Sequence, residues 1–468
     1  MADPEDHNVA TLWSKVFKHE LEQGHNNEAY DAMISNPELE RRKDCLRQFV
    51  VVLCERNQLQ ALVEFPYTDL QDEVVGIIES RARSVDLTAH NFYDLLYSFH
   101  VFRGNYRKAG SIMYEYGMRL GHEVPGVKGL QRQAKCYLAA MNALRLVDPK
   151  YAWIVKPVHK KKGRVEENLF GKSPKHDLEG EELDSEGSER KMEVLELADL
   201  EKEYMLVHGR LQLVQKDSDP THAIGPTASA DETIALMVNA GMFDSAINIC
   251  KLFNMPLTPV FEGLTSRCVK LSMYSGGRTG GADNELTGEA WSWLADNELG
   301  SGNTGRDISS ADQSWRLLQR YLSAYEQGKQ SIYHKAVCIR LFSQGFLPPN
   351  WFIASYKVQN PAELLRLYID YDLLEEAAEL AIEYIDAVSG KGYEYFGLQT
   401  FLHHGAPSVW LPYTCIDQLL YALQEGQDDA QYHNLYQSLR HKMNEYLTLV
   451  EKTSQATLRA GYQRAAVS

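Results

Sequence analysis

The 468-residue sequence predicts an all-α fold, an irregular α-solenoid of stacked antiparallel helix pairs, and three features carry that reading. Apolar residues return at intervals of three and four in nearly every segment, while sustained two-residue alternation is scarce. Helix-start signals recur at Asn36-Pro37-Glu38, Ser229-Ala-Asp-Glu232, Ser310-Ala-Asp-Gln313 and Asn360-Pro-Ala-Glu363. In the last three, an oxygen-bearing side chain and an acid or amide three residues on satisfy orphan amides reciprocally. The third feature is a short turn pattern that appears four times.

In chain order, Asn36 and Pro37 open a helix whose buried stripe is Leu39, Leu46, Phe49, Val50 and Leu53, and Pro66 closes that region. The turn pattern runs Gly24 to Ala29, Gly104 to Ala109, Gly241 to Ala246 and, with an acid in place of glycine, Asp372 to Ala377. Glycine takes the left-handed conformation that ends one helix, and alanine lets the next helix approach its neighbour closely. The copies stand 80, 137 and 131 residues apart, which fits no strict repeat period and favours an irregular stack. Residues 156–192 mix lysines, acids, glycine and proline with few large apolar residues, so they read as a disordered charged linker or loop. That divides the chain into an N-terminal helical stack (1–155) and a C-terminal one (193–468) ending in a long helix. Gly/Ser-rich stretches at 275–288 and 300–309 read as long loops around a short helix carrying Trp291, Trp293 and Leu294.

Two apolar seams step by three and four. The first, Leu197, Leu200, Tyr204, Val207, Leu211 and Val214, has chain on both sides and is expected to pack internally. The second is Tyr436, Leu439, Met443, Tyr446 and Val450, continuing through Thr453 and Thr457. A last helix in a stack has one fewer neighbour to cover it, which makes these five residues the expected partner-binding surface.

Composition narrows the function. Hydrophobic residues make up 44% and charged residues 24%, values typical of globular domains, and the formal net charge is −16. Direct nucleic-acid binding is therefore not expected. Seven cysteines with no CxxC pair argue against zinc and a disulfide framework and point to a reducing compartment. The first residues lack the basic and apolar regions of a signal peptide, and no run approaches a membrane span. Gly171-Lys172-Ser173 ends like a phosphate loop, but Glu166 stands where its first glycine belongs. The glycines at 276, 277, 280 and 281 form no dinucleotide fingerprint, and the His403-His404 pair has no metal-ligand spacing around it. Lys160 to Arg164 reads as part of a solvated linker. No enzyme activity, cofactor, metal or small-molecule substrate is expected.

Several stretches carry a resemblance: Leu53-Cys-Glu-Arg56, Leu62-Val-Glu-Phe-Pro-Tyr67, Glu73 to Arg83, Tyr114 to Leu120, Tyr151-Ala-Trp-Ile-Val155, Pro256 to Leu264, Leu364 to Tyr368, Tyr371 to Ala377 and Val409 to Tyr413. From about Leu12 to about Val450 the chain resembles the C-terminal helical half of the 160-kDa nucleoporins. The resemblance implies a scaffold subunit of the Y-shaped nuclear pore complex, at the nuclear envelope, that binds the 85-kDa and 96-kDa nucleoporins at a hub. It further implies support of messenger RNA export and protein transport, and presence at kinetochores. The family's amino-terminal β-propeller is missing, so a fragment or short form is expected, and the contacts attributed to the propeller, which include part of the site for the 37-kDa partner, do not carry over. A vesicle-coat or tethering α-solenoid is the alternative, because stacked helices and composition alone do not separate the two.

Overall fold

The computed structural model describes residues 7–84, 87, 92–157, 192–216, 229–275, 283–297, 309–326, 328, 330–402, 410–426 and 430–467. The fold is all-α, with stacked helix pairs throughout and one two-stranded ribbon among the described residues. Contacts divide the chain into two compact units, Met1–Ser229 and Ala230–Ser468.

The first unit contains α1 (His7–Gln23), α2 (Asn26–Ile34), α3 (Leu39–Glu55), α4 (Leu59–Glu64), α5 (Gln71–Ser84), α6 (Phe92–Phe102), α7 (Tyr106–Glu123) and α8 (Val127–Arg145). Strands β1 (Trp153–Pro157) and β2 (Met192–Glu196) follow, then α9 (Leu197–Lys216). Its core opens on an aromatic cluster in which Tyr30 stacks on Phe65 at 4.8 Å and Phe49 meets Phe65 edge-on at 5.3 Å. Arg103 lies 3.6 Å from the Phe99 ring and donates to the carbonyls of Val63 and Phe65, so its charge closes the end of α4. On α7 the small residues face α8: a Cβ added at Gly117 would sit 2.5 Å from the Tyr137 ring.

The second unit contains α10 (Ala230–Ala240), α11 (Phe243–Leu252), α12 (Thr258–Ser275), α13 (Asp283–Ala295), α14 (Ser310–Tyr325), α15 (Ile332–Ser343), α16 (Asn350–Gln359), α17 (Pro361–Asp370) and α18 (Leu374–Val388). After a 3-10 turn at Tyr393–Phe396 come α19 (Tyr413–Glu425) and the 38-residue α20 (Ala430–Val467).

All four predicted turns join consecutive antiparallel helices by one hydrogen-bond pattern. At Gly24 (φ 85°) the amide donates to Leu21 O and the next amide to Glu20 O, closing α1. Gly104, Gly241 and Asp372 repeat it, with φ of 71°, 76° and 59°. Ala29, Ala109, Ala246 and Ala377 are all fully buried. Gly241 is doubly constrained, because a Cβ there would also lie 2.8 Å from Trp293 Cβ. Asn57 and Asn254 close α3 and α11 with the same pattern at φ of 56° and 53°. Asparagine tolerates the left-handed region, and these two turns lack the glycine- or acid-to-alanine signature of the other four.

Several local expectations are corrected. Asn36 does not cap α3: its Oδ1 accepts the Glu38 amide, and its Nδ2 donates to Ala10 O, tying the turn to α1. The cap of α14 is Ser309 rather than Ser310, since the Asp312 amide donates to Ser309 Oγ at 3.0 Å. Asn360 caps α17 as expected, accepting from the Glu363 amide at 3.1 Å. The ribbon was not expected; it pairs Ile154 with Leu195 on a buried face and Val155 with Val194 on an exposed one. Five-residue strands give too few alternations to register as a period. Lys156, Pro157 and Met192, placed in the linker by the sequence, are ribbon residues. The ribbon and α9 pack into the first unit, so the division falls at Ser229/Ala230 rather than around residues 156–192. The remaining readings on 158–191, and those on the glycines at 276–281 and on His403-His404, lie outside the described residues.

Candidate functional site

Of the two seams, the first is internal as expected. On α9, Leu200, Val207, Leu211 and Val214 are buried, and the helix packs on α8 and β2.

The second seam is corrected. Leu439, Met443 and Tyr446 are 0%, 9% and 1% exposed, because α20 lies against α18 and α19. Tyr436 and Val450 are half-buried. The Tyr446 hydroxyl lies 3.4 Å from that of Tyr413 on α19, and burial pushes its phenol upward, with the Tyr413 contact adding to the shift. Lys442 bonds Asp386 of α18 at 2.9 Å, a contact that raises the lysine further above its ordinary range. Over this stretch the apolar stripe holds the fold together.

Beyond Tyr446 the helix behaves differently. No side chain described from Leu447 to Arg459 is buried, and Leu447 and Leu458 are 48% and 61% exposed. With Val450 they fall on one stripe, at steps of three and eight residues. A helix that leaves its packing neighbours with leucines on one face presents the anchors used in helix-in-groove recognition. This shift could not be read from the sequence, because periodicity is the same on both parts of the helix; only the position of α18 and α19 separates them. A shallow groove of about 520 Å³ runs beside the junction, lined by Asp386, Lys391, Lys442, Glu445 and Lys452. Its charges are mixed and open to solvent.

One set of side chains has the form of a hydrolytic relay. His334 Nδ1 lies 3.2 Å from Glu326 Oε2, and its Nε2 lies 2.9 Å from Ser355 Oγ. The surroundings give it a structural role. Glu326 Oε2 also accepts the amides of Tyr333 and His334, capping the start of α15 with a buried carboxylate. Phe352 and Tyr356 cover the imidazole, and burial lowers its pKa although Glu326 opposes the shift. Ser355 sits inside α16, where its amide is committed to the helix and offers nothing to a developing oxyanion. Among the described residues no His, Cys, Asp and Glu cluster fits a metal ion, and no described helix is long and apolar enough to cross a membrane. The seven cysteines are free thiols.

Comparison with known proteins gives this helical architecture relatives. Residues 1–146 match the family described as NUP160/120 middle TPR, and residues 196–462 match Nup160 C-terminal TPR. The nuclear pore complex protein Nup160 of Mus musculus is 52% identical over 451 residues, 96% of this chain and 31% of that protein. The Homo sapiens protein is also 52% identical over 451 residues, covering 96% of this chain and 30% of its own length. The Drosophila melanogaster homologue is 33% identical over 456 residues, again 96% and 31%. This chain thus spans about a third of those relatives. Between them the two matched regions take in both helical units and every turn described above, and the chain belongs to the Nup160 family.

Proposed function

We propose that this chain is a structural subunit of the nuclear pore scaffold at the nuclear envelope, binding other nucleoporins and supporting nucleocytoplasmic transport, including messenger RNA export. Kinetochore association belongs to the same reading. Its work is architectural: helix pairs hold a shape, and exposed helix faces join it to neighbours. The observation that carries this is the part of α20 beyond Tyr446, where Leu447 and Leu458 are exposed and Val450 is only half-buried, in contrast to the buried Leu439 and Met443. Family membership favours the pore over a vesicle coat. The partners proposed for that face are the 85-kDa and 96-kDa nucleoporins.

The test uses the tagged full chain in cells. It is expected at the nuclear rim, co-purifying with both nucleoporins, and Leu447→Asp with Leu458→Asp is expected to reduce their recovery without changing the helical circular dichroism signal. Rim localisation with undiminished recovery by the double variant would remove α20 from the contact. Coat-like cytoplasmic puncta would remove the pore reading itself.

A further inference from the structure

The solvent face of α8 departs from the charge pattern of the chain. Between Glu123 and Asp148 there is no Asp or Glu, in a sequence with 64 acidic and 48 basic residues. Lys128, Arg132, Lys135 and Arg145 fall in this stretch and all four are exposed. At 100° per residue they share an arc of about 140° with Leu138 and Leu146. Those two leucines are 40% and 65% exposed. The remaining sides of α8 are taken up by α7 and α9. Arg132 interacts with Asp94 of α6. Among the described residues Lys128 and Lys135 have no carboxylate partner, and Arg145 reaches only the Asn142 side chain, at 3.5 Å.

We infer that this face docks an acidic amphipathic helix of a partner protein. Lys128, Arg132 and Lys135 follow one another at four and three residues, the spacing at which a second helix presents carboxylates along one side. Leu138 and Leu146 interrupt the cations with aliphatic anchors that become desolvated when a helix covers them. Complementary charge around such anchors sets register and speeds encounter. The stripe from Lys128 to Arg145 is roughly 25 Å long, about the length of a five-turn helix. A polyanion fits less well: phosphate backbones are held by cations with amides or stacking rings, and they leave leucines unused. The net charge of −16 also opposes long-range attraction of nucleic acid or an anionic membrane. This surface lies in the first unit and does not depend on α20.

The experiment measures binding of the full chain to a synthetic helix of roughly 20 residues, long enough to cover the stripe, with leucines on one face and glutamates beside them. Parallel arms use the same peptide with lysine for glutamate, phosphatidylserine vesicles, and poly(U) RNA. The glutamate peptide is expected to bind in a salt-sensitive manner. Lys128→Glu with Lys135→Glu and Arg145→Glu should weaken it roughly tenfold or more and transfer preference to the lysine peptide. Leu138→Ser with Leu146→Ser should weaken binding while leaving the preference for glutamate. Zero-length carbodiimide coupling on the wild-type chain, read by mass spectrometry, should join peptide glutamates to Lys128 or Lys135, which keeps the test open if the triple variant misfolds. Equal affinity for both peptides, cross-links confined to other lysines, or tighter binding of vesicles or RNA than of the glutamate peptide would overturn the inference.

Discussion

His100 is fully buried on α6, and neither ring nitrogen has a partner. Burial, reinforced by Lys108 and Arg103, lowers its pKa from the ordinary 6.5 to about 4. Between those values the unfolded chain takes up a proton that the folded chain refuses, so stability falls as pH falls through that window. The full loss is on the order of 3 kcal/mol. His100→Phe keeps an aromatic ring beside Phe99 and removes the titrating group, so its urea midpoint at pH 4.5, relative to pH 7, should drop less than that of the parent chain. An identical drop in both would mean that His100 does not set the acid limb. Gly117 shows a constraint of another kind, steric rather than electrostatic, where α7 meets the Tyr137 ring. Gly117→Ala should cost about 1–3 kcal/mol through overpacking, seen as a lower urea midpoint, despite alanine's better helix propensity. The sequence shows a glycine in a helix; it does not show the ring.

At the scale of the element, α20 joins two roles in one periodic stripe. Leu439→Ala should destabilise the second unit by about 2–5 kcal/mol, as a truncated buried leucine does. Leu458→Asp, far along the same helix, should leave the thermal midpoint unchanged, because its side chain is already in water. Equal effects from the two substitutions would show that the helix is covered along its whole length. Helix ends follow the same logic of local and remote causes. The four predicted turns were legible because a left-handed residue followed by a buried small one leaves a local mark. Asn57 and Asn254 carry the same backbone geometry with a different residue, and the Ser309 cap lies one position from the sequence signal. In each case the backbone conformation is the cause, and several residue types satisfy it.

For the molecule as a whole, the division at Ser229/Ala230 predicts that residues 1–229 and 230–468, expressed separately, each give a cooperative thermal transition with helical circular dichroism. A non-cooperative melt of either half would show that the units do not fold alone. The all-α class, the antiparallel stacking at glycine turns, the internal α9 seam and the family itself were determined by the sequence, since each rests on periodicity, turn chemistry or ordered identity that local residues carry. Tertiary structure decided what burial depends on: the β1–β2 ribbon, the joining of α9 to the first unit, and the covering of Leu439, Met443 and Tyr446 by α18 and α19. A side chain's periodicity is fixed by its own helix, whereas its exposure is fixed by whichever helices, distant in sequence, come to lie against it.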